Sequence, residues 1–393
     1  MEEVKDDLDI FQSDDLDFVG EEVLGDFGDV KFEISEPHIK VDSKAFLGFL
    51  NVAKNIVSFS GRDLISRSIL FEVEGSDLVC SVTDFDVYLR YKIPLMNQEN
   101  MLSDSFVIPM STLKNVIRGV PSSFIILKVD DSYKVKLAFG DLVLENLNCD
   151  VTKFKLEGHK FEKKKSFLFS DFGAAVASLS QIVTASAQPS DRRVMVRDDA
   201  AYCTYLWSLV KYQGDFSEME LKIKDMKVVK ALSAVYSDEV SHFISSDSEK
   251  VKRDKLEGDN FSFIFLRNVG ELPSLFGGLM EEVMSAPSAF VDSVQLSRMV
   301  SIASDLPYSI GKILFNFNEF GVKAVLRTKK GDNEFSFSSS DHGEPIKEDV
   351  VIQAKMLRNV LRPMSEGILN LMVSEKGIGL KTEKLSLVVY QGS

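Results

Sequence analysis

Two short stretches carry the residue types and spacing that bind phosphate. Leu113-Lys114-Asn115-Val116-Ile117-Arg118 and Leu357-Arg358-Asn359-Val360-Leu361-Arg362 lie 244 residues apart and nearly repeat each other. On a helix, Met356, Leu357, Val360 and Leu361 share one side, while Lys355, Arg358 and Arg362 share the other. Such a helix packs on a sheet through its apolar stripe and offers cations outward. Cations on an exposed stripe attract a sugar–phosphate backbone without reading bases. The expectation is sequence-independent, salt-sensitive binding to double-stranded DNA.

Other constellations are weaker. Asp84 and Asp86 share a face if extended, but no His or third acid accompanies them, so their expected role is structural. His38, His159, His242 and His342 lack metal-ligand spacing. There is no phosphate loop ending in Gly-Lys-Ser/Thr and no nucleophile elbow. No catalytic residue, metal or cofactor is therefore expected. Cys80, Cys149 and Cys203, odd in number and far apart, read as reduced structural thiols of a cytoplasmic protein. Trp207, beside Ser208, is expected in the core or a pocket wall.

The elements that position the basic residues repeat along the chain. Phe106-Val107-Ile108-Pro109 and Val350-Val351-Ile352-Gln353 read as strands feeding the two helices, and Leu221-Lys222-Ile223-Lys224 followed by Val228 is a third copy. Anchored on Ile108, Ile223 and Ile352, the copies lie 115 and 129 residues apart. On that alignment Lys227 and Lys230 of the middle helix fall out of phase with the outer copies. Each copy also has an earlier helix, starting near 43, 170 and 292. Asp42 or Ser43, Ser170 or Asp171, and Asp292 are the expected caps. Lys44 and Lys54 lie off the apolar stripe of the first.

The charge is segregated. The 393 residues carry a net charge of −14, of which residues 1–29 hold −11, leaving a nearly neutral body. The predicted layout is an acidic disordered tail over 1–29 and domains over 30–160, 161–280 and 281–393. Each domain is α+β, two helices on antiparallel sheet. No apolar run is long enough for a membrane span. The cations of the second helices are Lys114 and Arg118; Lys224, Lys227 and Lys230 against Asp225; and Lys355, Arg358 and Arg362. Six helices about 10 Å apart line a circle too small for a duplex, whereas twelve leave roughly 28 Å clear. A closed ring thus requires a homodimer.

At these residues the chain resembles the bacterial DNA polymerase sliding clamps, the beta subunit of the replicative polymerase. Val82-Thr83-Asp84-Phe85-Asp86 is similar to the family's Ala-Thr-Asp-x-Glu/Asp segment, and Phe106–Pro109 and Leu385–Tyr390 also match. The resemblance implies three clamp-like domains, a head-to-tail dimeric ring around duplex DNA, no catalysis, and a DNA polymerase and clamp loader as partners. It places Arg62, Gln188 and Arg192 in DNA-contacting loops. It puts a partner pocket at Leu206, Trp207, Leu209, Lys224, Val228, Val388, Val389 and Tyr390. The chain departs from the pattern at Lys224, where clamps commonly have proline, and in ending Tyr390-Gln391-Gly392-Ser393. Asp7-Leu8-Asp9-Ile10-Phe11 is similar to the Gln-Leu-Asp-Leu-Phe peptide of clamp partners, with Leu8, Ile10 and Phe11 as anchors. The divergence and the tail imply a bacteriophage version. Two alternatives remain: an open-face monomeric processivity factor, and a metal-dependent DNA-acting enzyme.

Overall fold

The structure is a computed structural model describing residues 37–58, 63–97, 105–117, 124–129, 134–137, 143–145, 149–156, 158–184, 192–246, 250–268, 275–306, 311–328, 331–338, 346, 349–364 and 367–391. All lie in the compact unit Glu36–Ser393.

Among the described residues one motif, strand–helix–three strands, occurs six times. The first is β1 (Ile39–Asp42), α1 (Ser43–Ala53), β2 (Ser68–Glu74), β3 (Asp77–Thr83) and β4 (Tyr88–Pro94). The second is β5 (Phe106–Pro109), α2 (Met110–Ile117), β6 (Phe124–Val129), β7 (Lys134–Leu137) and β8 (Val143–Glu145). The third is β9 (Phe161–Leu168), α3 (Phe169–Val183), β10 (Arg193–Arg197), β11 (Ala200–Tyr205) and β12 (Ser208–Gln213). The fourth is β13 (Met219–Lys222), α4 (Ile223–Ser233), β14 (Glu239–Ser245), β15 (Arg253–Glu257) and β16 (Phe261–Leu266). After α5 (Leu275–Met284) comes the fifth: β17 (Ser288–Asp292), α6 (Ser293–Ser304), β18 (Lys312–Asn318), β19 (Gly321–Thr328) and β20 (Gly331–Ser338). The last is β21 (Val350–Gln353), α7 (Ala354–Leu361), β22 (Ile368–Ser374), β23 (Gly377–Lys381) and β24 (Leu385–Tyr390).

The motifs associate in pairs by exchanging their first strands. β1 pairs with β6 while β5 pairs with β2, and the same swap joins β9 to β14 and β17 to β22. Each pair is one repeat, so the threefold pattern of the sequence conceals a sixfold one. Repeats then join edge to edge. β4 pairs with β16 and β12 with β24, giving two eight-stranded antiparallel sheets. The joints are built alike: Tyr91 opposes Phe261 and Tyr212 opposes Leu385. Lys92 N donates to Asn260 O at 2.7 Å and Gln213 N to Lys384 O at 2.8 Å. Two four-stranded sheets remain, β1-β6-β7-β8 in the first repeat and β20-β19-β18-β21 in the third.

Helices cover one side of the sheets. α1 touches α4, α4 touches α3, α3 touches α7 and α7 touches α6, a continuous layer across the repeats. The cause is local: Phe46, Phe49, Leu50 and Ala53 of α1 are buried together, and Phe46 stacks on Phe71, which stacks on Phe106. Asp42 and Asp292 cap α1 and α6 by accepting from Ala45 N at 2.8 Å and Gln295 N at 2.9 Å. The second cap differs from expectation. α3 begins at Phe169 and its N-cap residue is Leu168, without a side-chain cap, because β9 runs directly into it.

The linkers run over the opposite sheet face. Phe154 packs with Ile65, Leu70 and Val107. α5 packs Val283 against Val388 and Tyr390. A Cβ on Gly379 would lie 3.0 Å from Met284 Sδ and 3.3 Å from Val283 Cγ1, so α5 seats closely over this glycine.

Candidate nucleic-acid interface

Sheet register fixes the phase of the basic helices. Ile108 opposes Ile69, Leu221 opposes Val194 and Ile352 opposes Ile313. Each is the third residue of a four-residue strand whose helix follows at once. Counted from there, Leu113, Met226 and Leu357 are equivalent, and so are Lys114, Lys227 and Arg358. The expected anchor of the middle copy, Ile223, is therefore two residues late. Lys227 is in phase with Lys114 and Arg358, whereas Lys230 matches Ile117 and Leu361. Leu221 and Ile223 alternate as a strand would, and only the ladder to β10 separates them.

Lys44, Lys54, Lys227, Lys230, Lys355, Arg358 and Arg362 are all exposed, as cations awaiting a polyanion must be. Lys114 lies on α2. Arg62, Arg118 and Gln188, with Leu8, Ile10 and Phe11 of the tail, lie outside the described residues. Arg298 of α6 is also exposed, opposite the buried Leu296, Met299, Val300 and Ala303. It has no second lysine or arginine on its helix, so no basic stripe marks it in the sequence. α3 carries no lysine or arginine, so cations are unevenly spread over the helix layer.

Two clefts gather these side chains. A groove of about 480 Å³ opens between α3, α6 and α7, where Gln181, Ser297, Ser301, Arg358 and Arg362 surround Val300 and Leu361. Arg358 Nη1 donates to Ser304 Oγ at 2.9 Å and to Asp305 Oδ1 at 3.1 Å, which orients its guanidinium. A second cleft, also about 480 Å³, brings Arg192 and Arg193 to Lys222 and Lys224 at the start of α4. Lys224 is ion-paired with Asp84 of the first repeat. Burial lowers the pKa of Lys224, and burial pushes the neighbouring Asp225 up to about 6.

The residues expected to form one partner pocket divide over several surfaces. Leu209 opposes Val388 on the sheet face away from the helices, and α5 covers Val388 and Tyr390 there. Val228 and Val389 are fully buried in the helix–sheet core and present no surface. Leu206 and Trp207 stand at the β11–β12 turn with exposures of 44% and 60%. Trp207 is thus outside the core, the first of the two places expected for it; its backbone is held, since Trp207 O accepts from Tyr390 N at 2.9 Å. Asn359 of α7 donates to Tyr205 Oη at 2.6 Å beside it.

Catalytic alternatives find other uses. Asp84 accepts from Val87 N at 2.9 Å besides pairing with Lys224, and the Asp86 carbonyl accepts from Arg253 Nη1 at 2.8 Å. Ser217 Oγ, His242 and Asp254 form a chain of 2.7 and 3.1 Å contacts like a nucleophilic relay. All three are buried, so Ser217 Oγ is closed to a substrate. Among the described residues no three His, Cys, Asp or Glu gather to hold a metal, and no helix is long and apolar enough to cross a membrane.

No protein-family model matches the chain, and no curated protein matches it by sequence. Solved structures do. The DNA polymerase III beta subunit of Thermotoga maritima is 14% identical with a TM-score of 0.68, covering 91% of this chain and 99% of that one. The beta subunit of Streptococcus pyogenes DNA polymerase is 14% identical at a TM-score of 0.69, covering 90% and 99%. The DNA polymerase sliding clamp of Bacillus subtilis is 12% identical at 0.68, covering 91% and 100%. The chain has the sliding-clamp fold. Its two eight-stranded sheets join the repeats of this chain, and α1, α3, α4, α6 and α7 form its helix layer.

Proposed function

We propose that the chain is a DNA sliding clamp, two copies of which close head to tail into a ring around duplex DNA and tether a polymerase delivered to it with the help of a loader. The observation that carries this is the pair of four-stranded sheets. β20 holds the place in its motif that β4 and β12 hold in theirs, and β8 holds the place of β16 and β24. Both internal joints pair strands of these two kinds. Among the described residues β20 pairs only with β19 and β8 only with β7, so a second copy supplies the missing half of each joint.

Closing that joint twice brings two helix layers together with their cations toward a common centre. Lys114, Lys227 and Arg358 at one helical position, with Lys44, Lys54 and Arg192 at the margins, hold the duplex by charge, which leaves it free to slide. The exposed Leu206 and Trp207 at the β11–β12 turn are the seat for partners, with Leu209, Val388 and Tyr390 as buried support behind them. Loading on circular DNA followed by linearisation tests the reading: a ring is lost from free ends, whereas a protein held by charge alone stays. The mass in solution should be near 88 kDa, twice the 44.0 kDa of the chain; a value near 44 kDa sinks the dimer.

A further inference from the structure

We propose that the groove between α3, α6 and α7 seats a single backbone phosphodiester, so that the duplex leans on the third repeat instead of riding evenly in the ring. The inference rests on the clamp reading and adds where DNA is held.

The groove differs from the rest of the helix layer in shape and in donors. Two guanidiniums, Arg358 and Arg362, the Gln181 amide and the hydroxyls of Ser297 and Ser301 converge on it. This is the mixture of charged and neutral donors that suits one phosphate with two outward oxygens. Both hydrogen bonds of Arg358 with the described residues use Nη1. Its Nη2 and Nε are left for a ligand, and the planar group is already aimed.

The same place in the preceding repeat is built otherwise. Registers that end β1, β9 and β17 opposite Phe124, Glu239 and Ile368 make Gly173 equivalent to Ser297, Ala177 to Ser301 and Asn55 to Gln181. Arg358 and Arg362 correspond to Lys227 and Ala231. A Cβ on Gly173 would lie 2.2 Å from Ser233 Cβ, so α3 and α4 press together at the position where α6 brings Ser297 to the groove. The middle repeat therefore offers a point charge on a closed surface. The third offers a pocket.

The test compares removal of one exposed cation inside the groove with one outside it. Arg362→Ala should weaken binding of a linear duplex about tenfold, as loss of a charge-assisted pair does, and Lys230→Ala only about threefold. The double variant Ser297→Ala/Ser301→Ala should weaken it several-fold with an unchanged salt slope, since no cation is lost. Equal losses for the two cation variants, with full affinity in the serine variant, would overturn the seat. Retention of the wild type on circular DNA, run in parallel, reports on the clamp reading alone. A wild type that is retained while the variants fail to discriminate refutes only the seat. One that is not retained, while the variants still discriminate, refutes only the ring.

Discussion

Lys224, at the start of α4, is ion-paired with Asp84 in the turn between β3 and β4 of the neighbouring repeat. The pair ties the helix layer of one repeat to the sheet of another. The same turn is gripped again by Arg253, which donates to the carbonyls of Asp86 at 2.8 Å and Phe85 at 3.2 Å. Phe85 has a φ of 74°, a strained conformation for an aromatic residue that these contacts hold in place. Asp84→Ala leaves Lys224 half-buried without its partner and should cost about 1–3 kcal/mol. Thermal melting would show it; an unchanged melt would mean the repeats are joined by the sheet alone. DNA affinity should change little.

Asp225 gives a pH dependence of definite sign. Burial raises its pKa from 3.8 to about 6 in the folded chain, against the pull of the Lys222 backbone N–H. A raised carboxyl pKa favours the folded state while the group is protonated. Its contribution is full below about pH 4 and lost as pH rises through 6, a swing of roughly 3 kcal/mol. Asp225→Asn keeps an acceptor for Lys222 N and removes the charge. Urea unfolding should show the variant more stable than wild type at pH 7.5, with the difference shrinking toward pH 5. A constant difference would contradict the assignment.

His242 bridges Ser217 and Asp254 with all three buried. His242→Phe leaves Asp254, among the described residues, only the Arg267 guanidinium at 3.9 Å and should cost about 1–3 kcal/mol. The conservative Ser217→Ala removes one hydroxyl bond and should cost about 1 kcal/mol. Neither variant should alter a hydrolase assay, and a serine-directed phosphonate should not label Ser217.

The edge of β20 that pairs with no strand among the described residues can be blocked without touching its core side. Consecutive strand residues turn their N–H groups to opposite sides, so one of Asn333→Pro and Glu334→Pro removes a donor from the outer edge. Sedimentation should find one variant monomeric and the other disturbed within its own sheet. If both stay dimeric, β20 is not the joint.

Charge reversal on α7 separates binding from assembly. Arg358→Glu with Arg362→Glu should cut DNA affinity by at least a hundredfold and reduce the salt slope by about 2. The dimer should persist. Because Lys227 shares the helical position of Arg358, Lys227→Glu should act in the same direction.

The sequence by itself determined the repeats and the chemistry they carry. The hexapeptides at 113–118 and 357–362 showed a basic stripe because a helix of eight residues has enough turns to separate its faces. Asp42 and Asp292 showed their caps because capping is local. Only the tertiary structure decided how the elements combine. A four-residue strand such as β13 fits two registers equally well, so the phase of Lys227 depended on which neighbour it pairs with. β4 and β16 pair across about 170 residues, and the burial of Val228, Asp225 and His242 depends on elements equally remote. No periodicity within a short window records such partners. The exposure of Trp207, the seating of α5 on Gly379 and the two unfinished sheets belong to the same class, since each is set by what lies across a surface and not by what lies along the chain.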